Sequence, residues 1–166
     1  EVIAAKPDAQ AILHVNQLYY VRYQKILYRL TADILYAEQH TVILKQVMQR
    51  FSLGQLVNVV AGSFKVDTQK LGLSPQLLDR ELTLVKRQGG EKIHLYGRVG
   101  HWPLKKAIQD AQILPWLRHT IQILVVDNVM LGVFSPKGFW LAQSEFVVQD
   151  GWQPSLISDC NGIKNE

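Results

Sequence analysis

The residues IQILVVD (121–127) and NVMLGVF (128–134) are two short apolar runs that meet at Asp127-Asn128. Apolar, β-branched runs broken by an Asp-Asn pair predict a hairpin, because short polar side chains tolerate the left-handed backbone of a two-residue turn. The same arrangement recurs. QLYYVRYQKILYRL (17–30) predicts a strand near 18–23, a turn at Gln24-Lys25 and a strand near 26–30. RFSLGQLVNVVAGSFKVD (50–67) is cut by Gly54 and Gly62, which predicts strand, turn, strand, turn, strand. ELTLVKR (81–87) alternates as a strand, Gln88-Gly89-Gly90-Glu91 is a turn, and KIHLYG (92–97) is the returning strand or an extended run. A further strand is expected at FWLAQ (139–143).

Two regions are less regular. AKPDAQAILHVNQ, punctuated by Pro7 and Asp8, reads as a loop or extended segment. HTVILKQVMQRF in residues 31–50 is compatible with strand or short helix, and Val42, Ile43 and Val47 lean towards strand. One helical pattern stands apart. Pro103 suits a first helical position, and Leu104, Ala107, Ile108 and Ala111 follow in one apolar stripe with Lys105, Lys106 and Gln109 outward. Leu114-Pro115-Trp116-Leu117-Arg118 reads as a turn leading into one short helical turn. The expected architecture is α+β: a strand-rich first module (1–72), a small mixed sheet with one main helix (73–152), and a fraying polar tail (153–166).

The 48% apolar content is enough for a core, and no stretch is apolar and long enough to span a bilayer. The chain opens on Glu, which reads as a fragment or a processed product, and EVIAAKPDAQ has no signal-peptide pattern. The single cysteine, Cys160, excludes an internal disulfide framework, fits a cytoplasmic setting and reads as an incidental thiol.

Charge is distributed unevenly. Lys86 to Arg118 holds seven of the eighteen Lys and Arg but only two of the fourteen acids, Glu91 and Asp110, a net of +5. The remainder of the chain nets −1, so the whole surplus of +4 lies in this stretch. Such a concentration is the footprint of a polyanionic partner. Arg87 and Arg98 suit bidentate phosphate contacts, and Lys105 and Lys106, with the helix N-terminus, suit a phosphate beside them. Trp102 and Trp116 flank the helix and read as core packing ahead of base stacking. Arg22 and Arg29 read as the wet face of a strand.

Catalytic patterns are weak by comparison. Gly89-Gly90 lacks the Lys-Ser/Thr of a phosphate loop, there is no HExxH, and His94, His101 and His119 have no metal-ligand spacing.

The basic stretch resembles the C-terminal domain of bacterial tRNA(Ile)-lysidine synthetases. The resemblance is carried by Arg87-Gln88-Gly89-Gly90-Glu91, Gly97-Arg98, Leu104-Lys105-Lys106 with Gln109, and Pro115-Trp116-Leu117-Arg118, followed by the hairpin around Asp127. Lys6-Pro7-Asp8-Ala9, Val21-Arg22-Tyr23 and Leu27-Tyr28 are similar to the region preceding that domain. Leu114 stands where the family often has the first of two prolines, and the family's proline near Ile121-Gln122 is absent.

The resemblance implies a tRNA-binding region, with Arg87, Arg98, Lys105, Lys106 and Arg118 on the acceptor-stem side of a tRNA(Ile) bearing a CAU anticodon. It also implies that ATP, with Mg, and the attachment of lysine to the wobble cytidine belong to an N-terminal catalytic domain, whose Ser-Gly-Gly phosphate loop is missing here. This chain would then hold no cofactor and be inactive alone. The partners implied are tRNA(Ile) and the enzyme's own N-terminal catalytic domain, and apolar strands in residues 17–67 make a second copy of the chain a further candidate partner. The competing reading is a docking or dimerisation module with little RNA contact.

Overall fold

The computed structural model describes residues 11–159, and the expectations for Pro7, Asp8 and Cys160 lie outside them. In chain order the strands are β1 (Ala11–Val15), β2 (Leu18–Tyr23), β3 (Ile26–Thr31), β4 (Gln46–Gln49), β5 (Leu56–Val59), β6 (Gly62–Leu73), β7 (Leu82–Lys86), β8 (Lys92–Ile93), β9 (Trp102–Pro103), β10 (Gln122–Val126), β11 (Val129–Ser135), β12 (Gly138–Leu141), β13 (Val147–Gln149) and β14 (Trp152–Asp159). The α-helices are α1 (Ala32–Leu35), α2 (Ala37–His40) and α3 (Leu104–Asp110), with single 3-10 segments at Pro75–Leu77 and Pro115–Thr120. The protein is therefore strand-rich with several sheets and few helices, 16% of the described residues being helical.

Two compact units divide between Val42 and Ile43, and Leu114–Trp116 group with the first. The first unit is an antiparallel sheet in the order β1-β2-β3. Asn16 and Gln17 join its first pair and Gln24 and Lys25 its second, all four at positive φ (49°, 68°, 49° and 68°). Two-residue connections need that conformation because its twist matches the strands' own. Tyr20 pairs with Arg29 and Arg22 with Leu27, so these four side chains share one face. Both arginines are exposed, as a wet strand face requires. Val21, Leu30 and Leu35 are buried, and Tyr19 meets Tyr36 edge to face at 5.5 Å.

The second unit holds the main core. One sheet runs β12-β11-β10-β7-β4, and β5, β13 and β14 gather around the long strand β6. Phe51, Phe64, Phe134 and Trp152 are fully buried and pack as one aromatic cluster. Phe64 meets Phe134 edge to face at 4.9 Å, and Phe51 lies 5.3 Å from Trp152. Aromatic pairs at such separations add to the burial of their area. The Trp152 indole N–H donates to the Ser74 carbonyl at 2.9 Å, which satisfies the polar end of the largest core side chain.

Several expectations change. The boundary at 72/73 is replaced by the division at Val42/Ile43, because β4 pairs with β7 and β6 with β13 and β14. Every described strand pairing is antiparallel, so the sheet is not mixed. Residues 153–159 belong to β14 rather than to a fraying tail, since Trp152 anchors the strand and its backbone completes a ladder with β6. The opening segment supplies the strand β1. In HTVILKQVMQRF the strand reading holds at β4, while two four-residue helices occupy residues before that strand. In 50–67, only β5 and the start of β6 are strands.

Candidate nucleic-acid interface

The basic stretch begins as β7 ends. Lys86 closes β7, and the Arg87 N–H reaches the Ile121 carbonyl at 3.4 Å. Arg87 is half-buried, and its Nε is buried without a partner among the described residues. A buried donor left unpaired is costly, so Arg87 is not simply a solvated surface cation. Gln88 to Glu91 then form the turn. The Glu91 carboxylate accepts from the backbone N–H of Gln88 at 2.6 Å and of Gly89 at 2.9 Å. One of the stretch's two acids is thus spent on shaping the turn that precedes β8.

β8 does not return along β7. It pairs with β9, setting Lys92 opposite Pro103 and Ile93 opposite Trp102. The strand pair brings the start of α3 beside β8, and the Leu104 N–H donates to the Glu91 carbonyl at 2.8 Å. Pro103 sits at the N-cap, one position before its expected place, with no side-chain cap. Leu104, Ala107 and Ile108 are buried while Lys105 and Lys106 are exposed, as the apolar stripe requires. With seven residues the helix is just under two turns, so the lysine charges rather than the helix end dominate its field.

Trp102 corrects the core-packing expectation. It is 46% exposed, its N–H donates to the Val99 carbonyl at 2.8 Å, and Lys106 Nζ stands 5.9 Å from its ring. This is an exposed aromatic face beside a cation. Its position in a two-residue strand explains the difference: helix flanks are often buried, but this one ends a ribbon at the surface. Trp116 behaves as expected, 5% exposed and 5.2 Å from Tyr28.

The five predicted cations are not equivalent. Arg98, Lys105 and Lys106 are exposed, and no ion pair with a described residue engages them. Arg118 is half-buried, and its Nε donates to the Ile113 carbonyl at 2.9 Å, tying the 3-10 segment back to the end of α3. Its first role is structural. His94 Nε2 lies 2.6 Å from the Arg98 carbonyl, and the His94 and His101 rings are 5.4 Å apart. They brace the loop that carries Arg98. No group of three or more His, Cys, Asp or Glu among the described residues is arranged to hold a metal.

Residues 82–153 match the family described as the TilS substrate C-terminal domain. Over all 166 residues the chain is 58% identical to the tRNA(Ile)-lysidine synthase of Acinetobacter baylyi, of which it covers 36%. The chain belongs to the tRNA(Ile)-lysidine synthase family. It represents the C-terminal portion of that family. The tRNA(Ile)-lysidine synthase of Legionella pneumophila strain Paris is 29% identical over 131 residues, which are 77% of this chain and 28% of the relative. That of Methylococcus capsulatus is 38% identical over 65 residues, 39% of this chain and 14% of the relative. The chain spans about a third of the length of the first of these relatives.

The match begins at β7 and ends in β14, so it contains the whole basic stretch and the strands β7 to β13. The strands β4, β5 and β6, which complete the same core, precede it. No helix among the described residues is long and apolar enough to cross a membrane.

Proposed function

We propose that this chain is the tRNA-binding C-terminal region of an ATP-dependent tRNA(Ile)-lysidine synthase, holding the acceptor-stem side of tRNA(Ile). Modification of the wobble cytidine with lysine, together with ATP and Mg, is assigned to a catalytic domain outside this chain. The residues here do not fit that cofactor. The Gly89-Gly90 turn has its Gln88 and Gly89 amides already taken by the Glu91 carboxylate, so those amides are not free to cradle a phosphate. The setting proposed is the cytoplasm, where tRNA is modified.

The observation that carries the reading is that Arg98, Lys105 and Lys106 are exposed and without ion pairs to described residues, with Lys106 Nζ 5.9 Å from the exposed ring of Trp102. Exposed cations next to an aromatic face suit the phosphates of an RNA backbone. A double-stranded acceptor stem presents phosphates and a shallow minor groove, so contacts there are to backbone and shape. Arg87 and Arg118 contribute at the edges, both half-buried and the second with its Nε committed to the Ile113 carbonyl.

The test is tRNA(Ile) binding by the whole chain across salt concentrations. With about three to five phosphates neutralised, log affinity falls against log salt with a slope of roughly −2 to −5. Salt-independent binding, or none, overturns the reading.

A second reading rests on a different observation. β4 is an edge strand, and Met48 on it is 54% exposed, with Leu53 and Leu56 exposed nearby in sequence at 56% and 64%. An open edge bearing apolar side chains suits docking on the catalytic domain or on a second copy of this chain. Sedimentation across concentration decides the self-association version: a strict monomer removes it.

A further inference from the structure

A cavity of about 430 Å³ opens beside the basic helix. Its floor includes Leu95 and Leu141, each 9% exposed. Its walls and rim include Tyr96, Arg98, Asp110 and Trp140, drawn from the loop after β8, from α3 and from β12. Tyr96 is 44% exposed, Trp140 is half-buried, and Arg98 and Asp110 are exposed. No hydrogen bond or ion pair with a described residue engages the polar ends of these four side chains. Arg98 and Asp110 border one cavity without pairing with each other, so both charges remain available to a ligand.

We propose that this cavity receives one unpaired nucleobase of the bound RNA, a reading that rests on the RNA-binding function above and adds a base-specific site to it. Three features select this ligand. Two aromatic side chains and an apolar floor suit a flat ring, and stacking on such side chains is how unpaired bases are held. The cavity falls within the size range, about 300–1,000 Å³, of pockets that enclose small planar ligands. Its charged groups are one obligate acceptor, the Asp110 carboxylate, and one obligate donor, the Arg98 guanidinium, while the lining Gln153 amide N–H is held by the Leu71 carbonyl at 2.7 Å. A base edge offers N–H and carbonyl or ring nitrogen side by side, and complements both.

The carboxylate also decides against a phosphate as occupant. Asp110 would repel it, whereas an N–H on a base edge donates to it. The phosphates have their own cation one turn away: Lys106 precedes Asp110 by four residues on α3, on the same side of the helix. A base in the cavity and its backbone phosphate on Lys106 fit one nucleotide. A base inside a continuous duplex is stacked and paired, so the ligand is a nucleotide in a single-stranded end or loop.

The experiment measures binding of the whole chain to three RNA probes by fluorescence anisotropy. They are a single-stranded hexanucleotide, the same backbone with abasic sites throughout, and a blunt duplex stem. The intact hexanucleotide is expected to bind roughly tenfold tighter than its abasic counterpart, the scale of one base–aromatic stack. Tyr96→Ala and Asp110→Asn should each bring the intact probe close to the abasic one. Lys105→Ala/Lys106→Ala should weaken both single-stranded probes by a common factor. Asp110→Asn keeps the side chain's size at an exposed position, so it remains informative if Tyr96→Ala perturbs the fold.

Equal affinity for intact and abasic probes overturns the cavity's role. If the duplex then still binds with a steep salt dependence, the tRNA-binding function survives and the base pocket does not. If no probe and no tRNA binds, both fall. A base preference that persists in folded Asp110→Asn and Tyr96→Ala places the base elsewhere and also overturns the proposal.

Discussion

Gly72 and Gly151 stand backbone against backbone. A Cβ on Gly151 would lie 2.5 Å from the Gly72 carbonyl carbon and 2.6 Å from the Leu73 oxygen, and one on Gly72 would lie 2.6 Å from the Trp152 oxygen. This close approach is where the connection between β13 and β14 crosses β6, with Asp150 at φ 56° bending the chain and the Gln69 N–H donating to the Gly151 carbonyl at 2.8 Å. The obstacle is backbone, not a side chain that can swing away. Gly151→Ala is therefore expected to destabilise the second unit by about 1–3 kcal/mol or more, the usual cost of overpacking. Denaturant unfolding checks it: an unchanged midpoint removes the close approach as a constraint.

Trp152, the next residue, combines core volume with one hydrogen bond. Trp152→Ala should cost about 3–5 kcal/mol, because its place among Phe51 and its neighbours cannot collapse fully. Trp152→Phe keeps most of the apolar volume but leaves the Ser74 carbonyl without its donor. It should cost less, with about 1–3 kcal/mol arising from the missing bond. Equal losses for the two variants would contradict this division.

Arg118 and Arg98 separate structure from binding. Arg118→Ala removes the donor to the Ile113 carbonyl and is expected to lower stability by about 1–2 kcal/mol. Arg98→Ala removes an exposed cation and should leave stability within about 0.5 kcal/mol while weakening RNA binding. Thermal unfolding and RNA affinity measured on both variants give opposite orders if this assignment holds.

Lys105→Ala/Lys106→Ala tests the helix face directly. Neither side chain is buried, so circular dichroism should be unchanged. The affinity for tRNA(Ile) should fall, and the salt slope should flatten by about one for each phosphate that is no longer neutralised. Unchanged affinity would move the binding face elsewhere, with the exposed strand face carrying Arg22 and Arg29 the next to test.

Glu91→Gln asks whether the acid in the basic stretch shapes the turn. The variant replaces a charge-assisted acceptor of two backbone N–H groups with a weaker amide oxygen. Stability is expected to fall by about 1 kcal/mol, and RNA affinity to hold or rise because a negative charge is removed. A marked loss of affinity at equal stability would show that Glu91 takes part in binding.

Sequence alone determined the local pieces. The hairpin at Asp127-Asn128 forms where short polar side chains tolerate positive φ, and the one at Gln24-Lys25 where a polar pair interrupts two apolar runs. The faces of α3 follow from the spacing of Leu104, Ala107 and Ile108, and the charge imbalance of residues 86–118 is visible by counting. The ordered fragments in that stretch carried the family resemblance.

Tertiary structure decided what those pieces join. Nothing local in β6 shows that most of it pairs with residues 147–159, so a boundary near residue 73 is what the sequence suggests and not what the fold adopts. Arg118 and Arg98 look alike in sequence, yet one is tied to a carbonyl and the other is open to solvent, because exposure depends on what the fold packs around each. Tyr96, Asp110 and Trp140 come from three separate elements and carry no shared motif. Local preferences act over a few residues and are written in the sequence. The cavity is made by long-range packing, where each residue's role is set by neighbours distant in the chain.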